Sequence, residues 1–437
     1  MSFRNVAPRL RPLGPGKTAV VSVLDIGTSK VACLIARLTP ADSAGGGRHT
    51  HMATVLGIGH QRSRGIKGGV VVDMQEANSA IRMAVDAAER MAGVQVESVI
   101  VNVTGGRLAS QLYSAKVSVG GRAVGGPDIQ RVLEAAASAS LRQGRAVLHA
   151  LPNGFSLDNA NGIQDPKGMI GDELAAQMHV ISSDGAAVRN LMLAIEQAHL
   201  VIDAVVATPY AAGLATLVDD EADMGAAVVD MGGGTTSVGV FSGGNLVHTD
   251  AFAVGGNHVT LDLARGLTAR LSDAERLKTL HGSCLTATSD DRETVTVPVV
   301  GEDGEHPNYV PKNQLNKIIR PRVEEILELV RDRLKAAGFA SHAGRRLVLT
   351  GGASQLTGLP ELARSMISSH VRIGRPMGVQ GLPESVKSPA FAAAAGLLVY
   401  PQVAGIEHFE PRRHAAAQAT GTDGYIARVG RWLKDSF

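Results

Sequence analysis

The sequence predicts an α/β protein whose two domains close on a shared cleft, with a small α+β subdomain inserted into the first. Three observations carry that expectation. The chain has 437 residues, too long for one core and enough for two or more domains. Strand-like and helix-like segments follow one another along it. And one motif occurs twice, as "VLDIGTSKVACLIA" at 23–36 and "VVDMGGGTTSVGVF" at 228–241. Asp25 aligns with Asp230, 205 positions later, and Gly27 aligns with Gly232.

Composition sets the bounds. Hydrophobic residues make up 44% and charged residues 19%, which is globular rather than disordered. Aromatics are only 3%, while 51 glycines point to tight turns and close backbone approaches. A net charge of +2 gives no argument for a nucleic-acid partner. Cys33 and Cys284 are too few for a disulfide framework, which fits a reducing cytoplasm. No apolar run reaches the roughly 18 residues that span a bilayer. The opening "MSFRNVAPRLRPLGPGK" is basic without an apolar centre, so it is no secretion signal and reads as a flexible arm over 1–17.

Residues 18–38 read as two strands around a turn at 25–30, followed by a Gly-rich loop and a third strand at 51–61. The stretch 73–93 has helical spacing, with Asp73 as N-cap and Gly93 past its end. From Glu97 the texture changes: strands, a helix from about 126, then Gly-, Asn- and Pro-punctuated strands. We read 97–181 as the inserted subdomain. A helix at 184–199 and the strand "VIDAVVATPYAA" return to the first domain, assigned 18–96, 182–212 and 385–400. The second repeat runs into a hairpin turning at Ser242–Asn245. The second domain takes 213–256 and 331–384, and a small subdomain takes 257–330. Residues 257–281 look helical, 285–310 strand-like, and 318–338 strongly amphipathic, with Pro321 near the start. A small-residue helix at 388–400 suits close packing. After Tyr400 the pattern fails, and 401–422 reads as a linker.

The repeated turn carries the chemistry. A strand ending in Asp, then a Gly turn, presents backbone N–H groups to an anion, and glycine keeps Cβ atoms out of the way. The Asp can hold hydrated Mg²⁺, which takes one or two carboxylates plus phosphate oxygens. A single such turn is most simply a plain hairpin. Two copies a domain apart can grip phosphates from both sides. Gly27, Thr28, Ser29 and Lys30 on one turn, and Gly232, Gly233, Gly234, Thr235 and Thr236 on the other, are the phosphate candidates. A third Gly turn, "VLTGGASQL", offers Gly351, Gly352 and Ala353 to a nucleoside. Glu275 and Lys278 share a helix face, where they suit ribose hydroxyls and adenine, or alternatively an ordinary ion pair.

In this order the pieces resemble the actin–Hsp70–hexokinase superfamily, and within it the FtsA family of bacterial cell-division proteins. The segments carrying the likeness are "DIGTSKVACLIA", "SRGIKGGVVVD", "RAVLHALPNGFSLDNANGIQDPKGM", "VVDMGGGTTSVGVFSGG", "SDAERLK…HGSC" and "LTGGASQLTGLPELA". It covers about 18–400 and the tail. The arm 1–17 and the loop 40–48 depart from it. The resemblance implies a two-domain actin-like (ribonuclease-H-like) fold with Mg²⁺–ATP in the cleft and Asp25 and Asp230 organising the metal through water. It also implies at most slow hydrolysis, self-association through the insert, FtsZ contact within 257–330, and recruitment of later divisome proteins at the cytoplasmic face of the inner membrane. Its alternatives are an actin-like pilus-assembly ATPase or a small-molecule kinase of the same superfamily.

The tail 423–437 forms the last reading. On a helical wheel Trp432, Tyr425, Val429, Leu433, Ile426 and Phe437 fall within about a 140° arc. Arg428, Arg431 and Lys434 lie opposite. An amphipathic basic helix after a linker suits an anionic membrane surface. The competing reading is docking on the protein's own body, and the resemblance favours the membrane. "GPGKT" at 14–18 is no P-loop, because Arg11 stands where the pattern needs Gly and no strand precedes it. His49, His51, His281 and Cys284 lack the companions of a metal site.

Overall fold

The first repeat folds as a hairpin. β1 (Ala19–Ile26) and β2 (Lys30–Pro40) pair antiparallel from Ala19↔Leu38 to Ile26↔Val31. The structure, a computed structural model, describes residues 7–407 except 9, 11–12, 15, 42–49, 106, 139–143, 286–289 and 299–307. β3 (His51–Arg62) adds to β2, and a short hairpin of β4 (Ile66–Lys67) and β5 (Val70–Val71) leads into α1 (Met74–Ala92). Asp73 caps α1 by accepting from the Gln75 and Glu76 amides, both at 3.0 Å, and Gly93 ends it in the left-handed region at φ 69°.

β6 (Ser98–Val103) corrects one boundary. The reading placed it in the insert from Glu97, but it runs parallel to β1 inside the first sheet. The insert proper comprises β7 (Ala109–Ala123), α2 (Gly126–Ser138), β8 (Arg145–Leu157), β9 (Ala160–Ile163) and β10 (Ile170–Asp184). Its strands lie in the order β7-β10-β8-β9 and enclose a core of their own around Val132, Leu133, Leu174 and Met178. At its rim Asp128 is buried beneath the arginines of Arg122 and Arg131, which hold its carboxyl far below the usual carboxylate range.

α3 (Gly185–Glu196) and β11 (Val201–Ala207) return to the first sheet, and α4 (Thr208–Thr216) and α5 (Asp219–Met224) follow. The second repeat forms β12 (Ala226–Met231) and β13 (Thr236–Ser242), and β14 (Asn245–Phe252) completes a hairpin whose turn holds Gly243 and Gly244 at φ 54° and 77°. The expected helix over 257–281 is two helices. α6 (Gly256–Gly266) and α7 (Leu271–His281) are separated where Thr268 takes φ 50°.

β15 (Thr294–Val297) and β16 (Asn308–Pro311) pair ahead of α8 (Lys312–Ala336). α8 begins six residues earlier than read, so Pro321 lies inside it; the Glu293 and Asp290 carbonyls accept from its first amides, Lys312 and Asn313. α9 (Ala340–Arg345), β17 (Leu347–Thr350), α10 (Leu359–Met366) and β18 (Val371–Ile373) complete the second sheet, ordered β14-β13-β12-β17-β18.

The chain then crosses back sooner than the boundary at 384. β19 (Val379–Gln380) pairs with β3, giving the first sheet the order β11-β6-β1-β2-β3-β19. α11 (Ala392–Val403) packs flush on α4: a Cβ on Gly396 would stand 1.7 Å from the Ala211 carbonyl oxygen. α11 passes the expected end at Tyr400, and a 3₁₀ turn carries the chain to Ile406, so the stretch beginning at 401 is structured at its start.

The arm is also partly bound. Ala7 is buried; its N–H donates to Val147 O at 3.1 Å, and Pro8 O accepts from Val205 N at 3.2 Å. Those bonds tie residues 7–8 to β8 and β11, so this part of 1–17 is not a free arm. Buried His51 reaches the Lys17 carbonyl at 3.0 Å, a structural role. The tail residues Tyr425, Ile426, Arg428, Val429, Arg431, Trp432, Leu433, Lys434 and Phe437 lie outside the described residues.

Candidate functional site

The two repeated turns share a local geometry. Gly27 N donates to Lys30 O at 2.9 Å, and Gly232 N donates to Thr235 O at 2.9 Å. Each strand thus ends in the same closed loop with its Asp at the mouth. The loops face each other closely: a Cβ on Gly233 would stand 1.9 Å from Ser29 Oγ, and one on Gly234 would stand 2.5 Å from Thr28 Oγ1. The second turn is seated on the start of α6, where Gly256 N and Asn257 N donate to Gly232 O and Gly233 O.

Between the turns opens a cavity of about 580 Å³. Asp25, Gly27, Thr28, Ser29, Lys30, Asp230, Gly232, Gly233, Thr235, Glu275, Lys278, Gly351, Gly352 and Ala353 all line it. Gly234 and Thr236 do not; Gly234 packs against Thr28, and buried Thr236 donates its hydroxyl to Val254 O at 2.8 Å. The carboxyl ends of parallel β1, β6 and β11 converge on its floor, the place where open α/β sheets take ligands.

Charge is concentrated on that floor. Asp25 is 6% exposed. Lys30 Nζ lies 3.5 Å from Asp25 Oδ2 and 4.4 Å above the Phe391 ring, and it donates to the Ala390 carbonyl. The Asp230 carboxyl is pushed up to about 7, first by burial and then by the Asp25 charge, with Lys30 opposing. Two carboxylates with hydroxyls and carbonyls around them form a hard-oxygen donor set, which suits hydrated Mg²⁺ rather than a soft metal. Among the described residues no group of three or more His, Cys, Asp or Glu forms a metal cage. A cation here would therefore complete its sphere with water and ligand oxygens.

The third glycine turn abuts the Asp230 side: Gly351 turns at φ 84°, and a Cβ on it would sit 2.2 Å from Asp230 Oδ1. Lys278 Nζ bonds Glu275 Oε2 at 2.7 Å, Thr260 Oγ1 at 2.9 Å and Gly256 O at 3.2 Å. Lys278 and Glu275 thus form the i,i+3 ion pair of the alternative reading and also fasten α7 to α6. Val259, Val323, Ile326 and Leu359 add apolar wall.

Residues 227–396 match the family model described as "Cell division protein FtsA", and 105–182 match the "SHS2 domain inserted in FTSA". The chain is 53% identical over 433 residues to the cell division protein FtsA of Agrobacterium fabrum, covering 98% of each. It is 32% identical over 422 residues to that of Escherichia coli K12, covering 95% of this chain and 97% of the other. The chain belongs to the FtsA family of cell division proteins.

The FtsA assignment agrees with the solved structures at the level of fold. A type IV pilus PilM–PilN complex gives a TM-score of 0.59 at 16% identity, over 87% of this chain and 98% of that one. MreB5 of Spiroplasma citri bound to ADP gives 0.52 at 12%, over 89% and 98%. The fold is therefore actin-like, and the pilus-assembly and kinase alternatives give way to the FtsA family. The SHS2 match coincides with the four-stranded insert and leaves β6 outside it.

Some lining residues escaped the sequence reading: Asn102, Thr104, Thr208, Asn257 and the Pro389–Ala390 turn. Asn102 had a signal, a lone amide in the apolar run "SVIVNV". The Pro389–Ala390 turn had none, since its carbonyls do the binding. Pro389 O accepts from Gly351 N and the Thr350 hydroxyl.

Proposed function

We propose that the cleft binds Mg²⁺–ATP and that this FtsA-family protein uses it to control assembly at the membrane. The observation that carries the reading is convergence: three glycine turns, two of them a repeat 205 positions apart, open onto one cavity. Gly27–Lys30 and Gly232–Thr235 offer amides and hydroxyls to phosphate oxygens from opposite walls. Asp25 and Asp230 hold the hydrated cation; Mg²⁺ would neutralise phosphate charge there. Glu275, Lys278 and the Gly351–Ala353 turn hold the nucleoside. Binding draws the two sheets together, so occupancy sets closure, and turnover is slow.

Closure in turn favours self-association through the insert and presents 257–330 to FtsZ. The tail 423–437 then holds the assembly, and with it the Z ring, on the anionic cytoplasmic face of the membrane. Later divisome proteins gather on that scaffold.

The test is sedimentation with anionic liposomes, using the full chain and a chain ending at Gly421, each with and without Mg²⁺–ATP. The proposal expects only the full chain to pellet, more so with nucleotide. Equal pelleting of both chains, or of neither, contradicts the tether.

A further inference from the structure

We propose that Asn102 is a positioning residue for the cation end of the cleft, fixing the Asp25 carboxylate that faces the hydrated metal. The proposal rests on the Mg²⁺–ATP reading and goes beyond it to a residue on a neighbouring strand.

Asn102 sits on β6 beside β1, where the two strands run parallel through Val23↔Ile100 and Leu24↔Val101. It is 1% exposed, in a strand whose residues 99–101 and 103 are apolar. Its carboxamide is fully engaged. The oxygen accepts from Ile26 N at 2.7 Å, which fixes which end is which. The nitrogen donates to Asp25 Oδ1 at 2.6 Å and to Thr208 Oγ1 at 3.1 Å, and Thr208 continues to Thr104 at 2.7 Å.

The chemistry of that contact differs from an ion pair. Lys30, the cation on the same floor, is 3.5 Å from the other Asp25 oxygen and is engaged by the Ala390 carbonyl. A neutral amide anchors one carboxylate oxygen without cancelling its charge. The carboxylate is thus held at one oxygen by Asn102, with Lys30 beside the other. Metal sites depend on such outer hydrogen bonds, and losing one costs about 10–100-fold in metal affinity. The same amide pins the Ile26 backbone, so the Asp and the start of the glycine turn are held by one group.

The test is equilibrium binding of a fluorescent ATP analogue to the full-length protein, in Mg²⁺ and in EDTA. The quantity read is the ratio of the two dissociation constants, which isolates the cation's contribution. Asn102→Leu keeps the volume and removes the donor; Asn102→Ser is the milder variant should the first not fold. Ser98→Ala is the control, since it removes a hydrogen bond from the same strand, to Asp203 Oδ2 at 2.6 Å, at a residue outside the cavity lining.

Wild type is expected to bind more tightly with Mg²⁺. In the Asn102 variants the ratio is expected to fall about tenfold, while Ser98→Ala keeps the wild-type ratio. An unchanged ratio in a folded Asn102 variant overturns the proposal, and so does an equal fall in Ser98→Ala, which would mark a general structural effect. If wild type binds the analogue in neither buffer, the nucleotide reading itself fails and the proposal falls with it.

Discussion

Gly351 and Gly352 look interchangeable in the sequence, and the structure separates them. A Cβ on Gly351 would meet Asp230 Oδ1 at 2.2 Å, Met231 O at 2.5 Å and Met231 C at 2.7 Å, and the residue sits at φ 84°. Two of those atoms are backbone and cannot rotate away. With ψ at 166° this is a backbone region essentially reserved for glycine, where another residue costs about 1–3 kcal/mol, and forcing the overlap apart costs about 1–3 kcal/mol more. Gly351→Ala should therefore weaken the second sheet by about 2–6 kcal/mol. At Gly352 a new Cβ would meet only Ala390 Cβ, at 3.8 Å, so Gly352→Ala should stay within about 0.5 kcal/mol of wild type. Hydrogen exchange without nucleotide, read on 226–252 and 347–373, measures this locally. Gly351→Ala should speed exchange there at least about thirtyfold, since 1.4 kcal/mol is tenfold. Equal behaviour of the two variants would refute the reasoning.

Two further outcomes follow from contacts between the halves. Gly233→Ala pushes a methyl to 1.9 Å from Ser29 Oγ, displacing that hydroxyl from the phosphate side, and should weaken ATP binding by about 1 kcal/mol or more, as a titration beside wild type would show. His179 donates from Nδ1 to Leu246 O and accepts from Ser110, which also takes the Thr249 amide, so the insert is bolted to β14. Burial lowers this imidazole to about 4, with His248 and His149 adding to the effect. The unfolded ring protonates near 6.5, so stability is full above that pH and falls as the pH drops towards 4, by up to about 3 kcal/mol. His179→Asn should flatten that part of the urea-stability profile against pH.

What could be read from the sequence was what is local. The Asp–Gly turns announced themselves because a backbone loop of fixed length needs the same residues both times, and α1 did so through Asp73 and Gly93. Parallel pairing is not local. β6 has an apolar pattern that fits either sheet, and only its register with β1 decides, across the intervening hairpins and α1. Lys30 read as a phosphate ligand from its place in the turn; its contact with the Ala390 carbonyl, 360 positions away, had no signal in the sequence. The arm at Ala7–Pro8 is held by two backbone bonds that any residue with the same backbone could make. Asn102 was the readable exception: an amide in a buried strand needs partners, and those partners are the site.

The account stands on two separated turns serving one ligand. Calorimetric titration of the full-length protein with Mg²⁺–ATP tests that directly. One equivalent per chain is predicted, abolished together by Gly351→Ala on one wall and by loss of the Asp25 carboxylate on the other. Two equivalents, binding that survives either change, or no binding at all would contradict it.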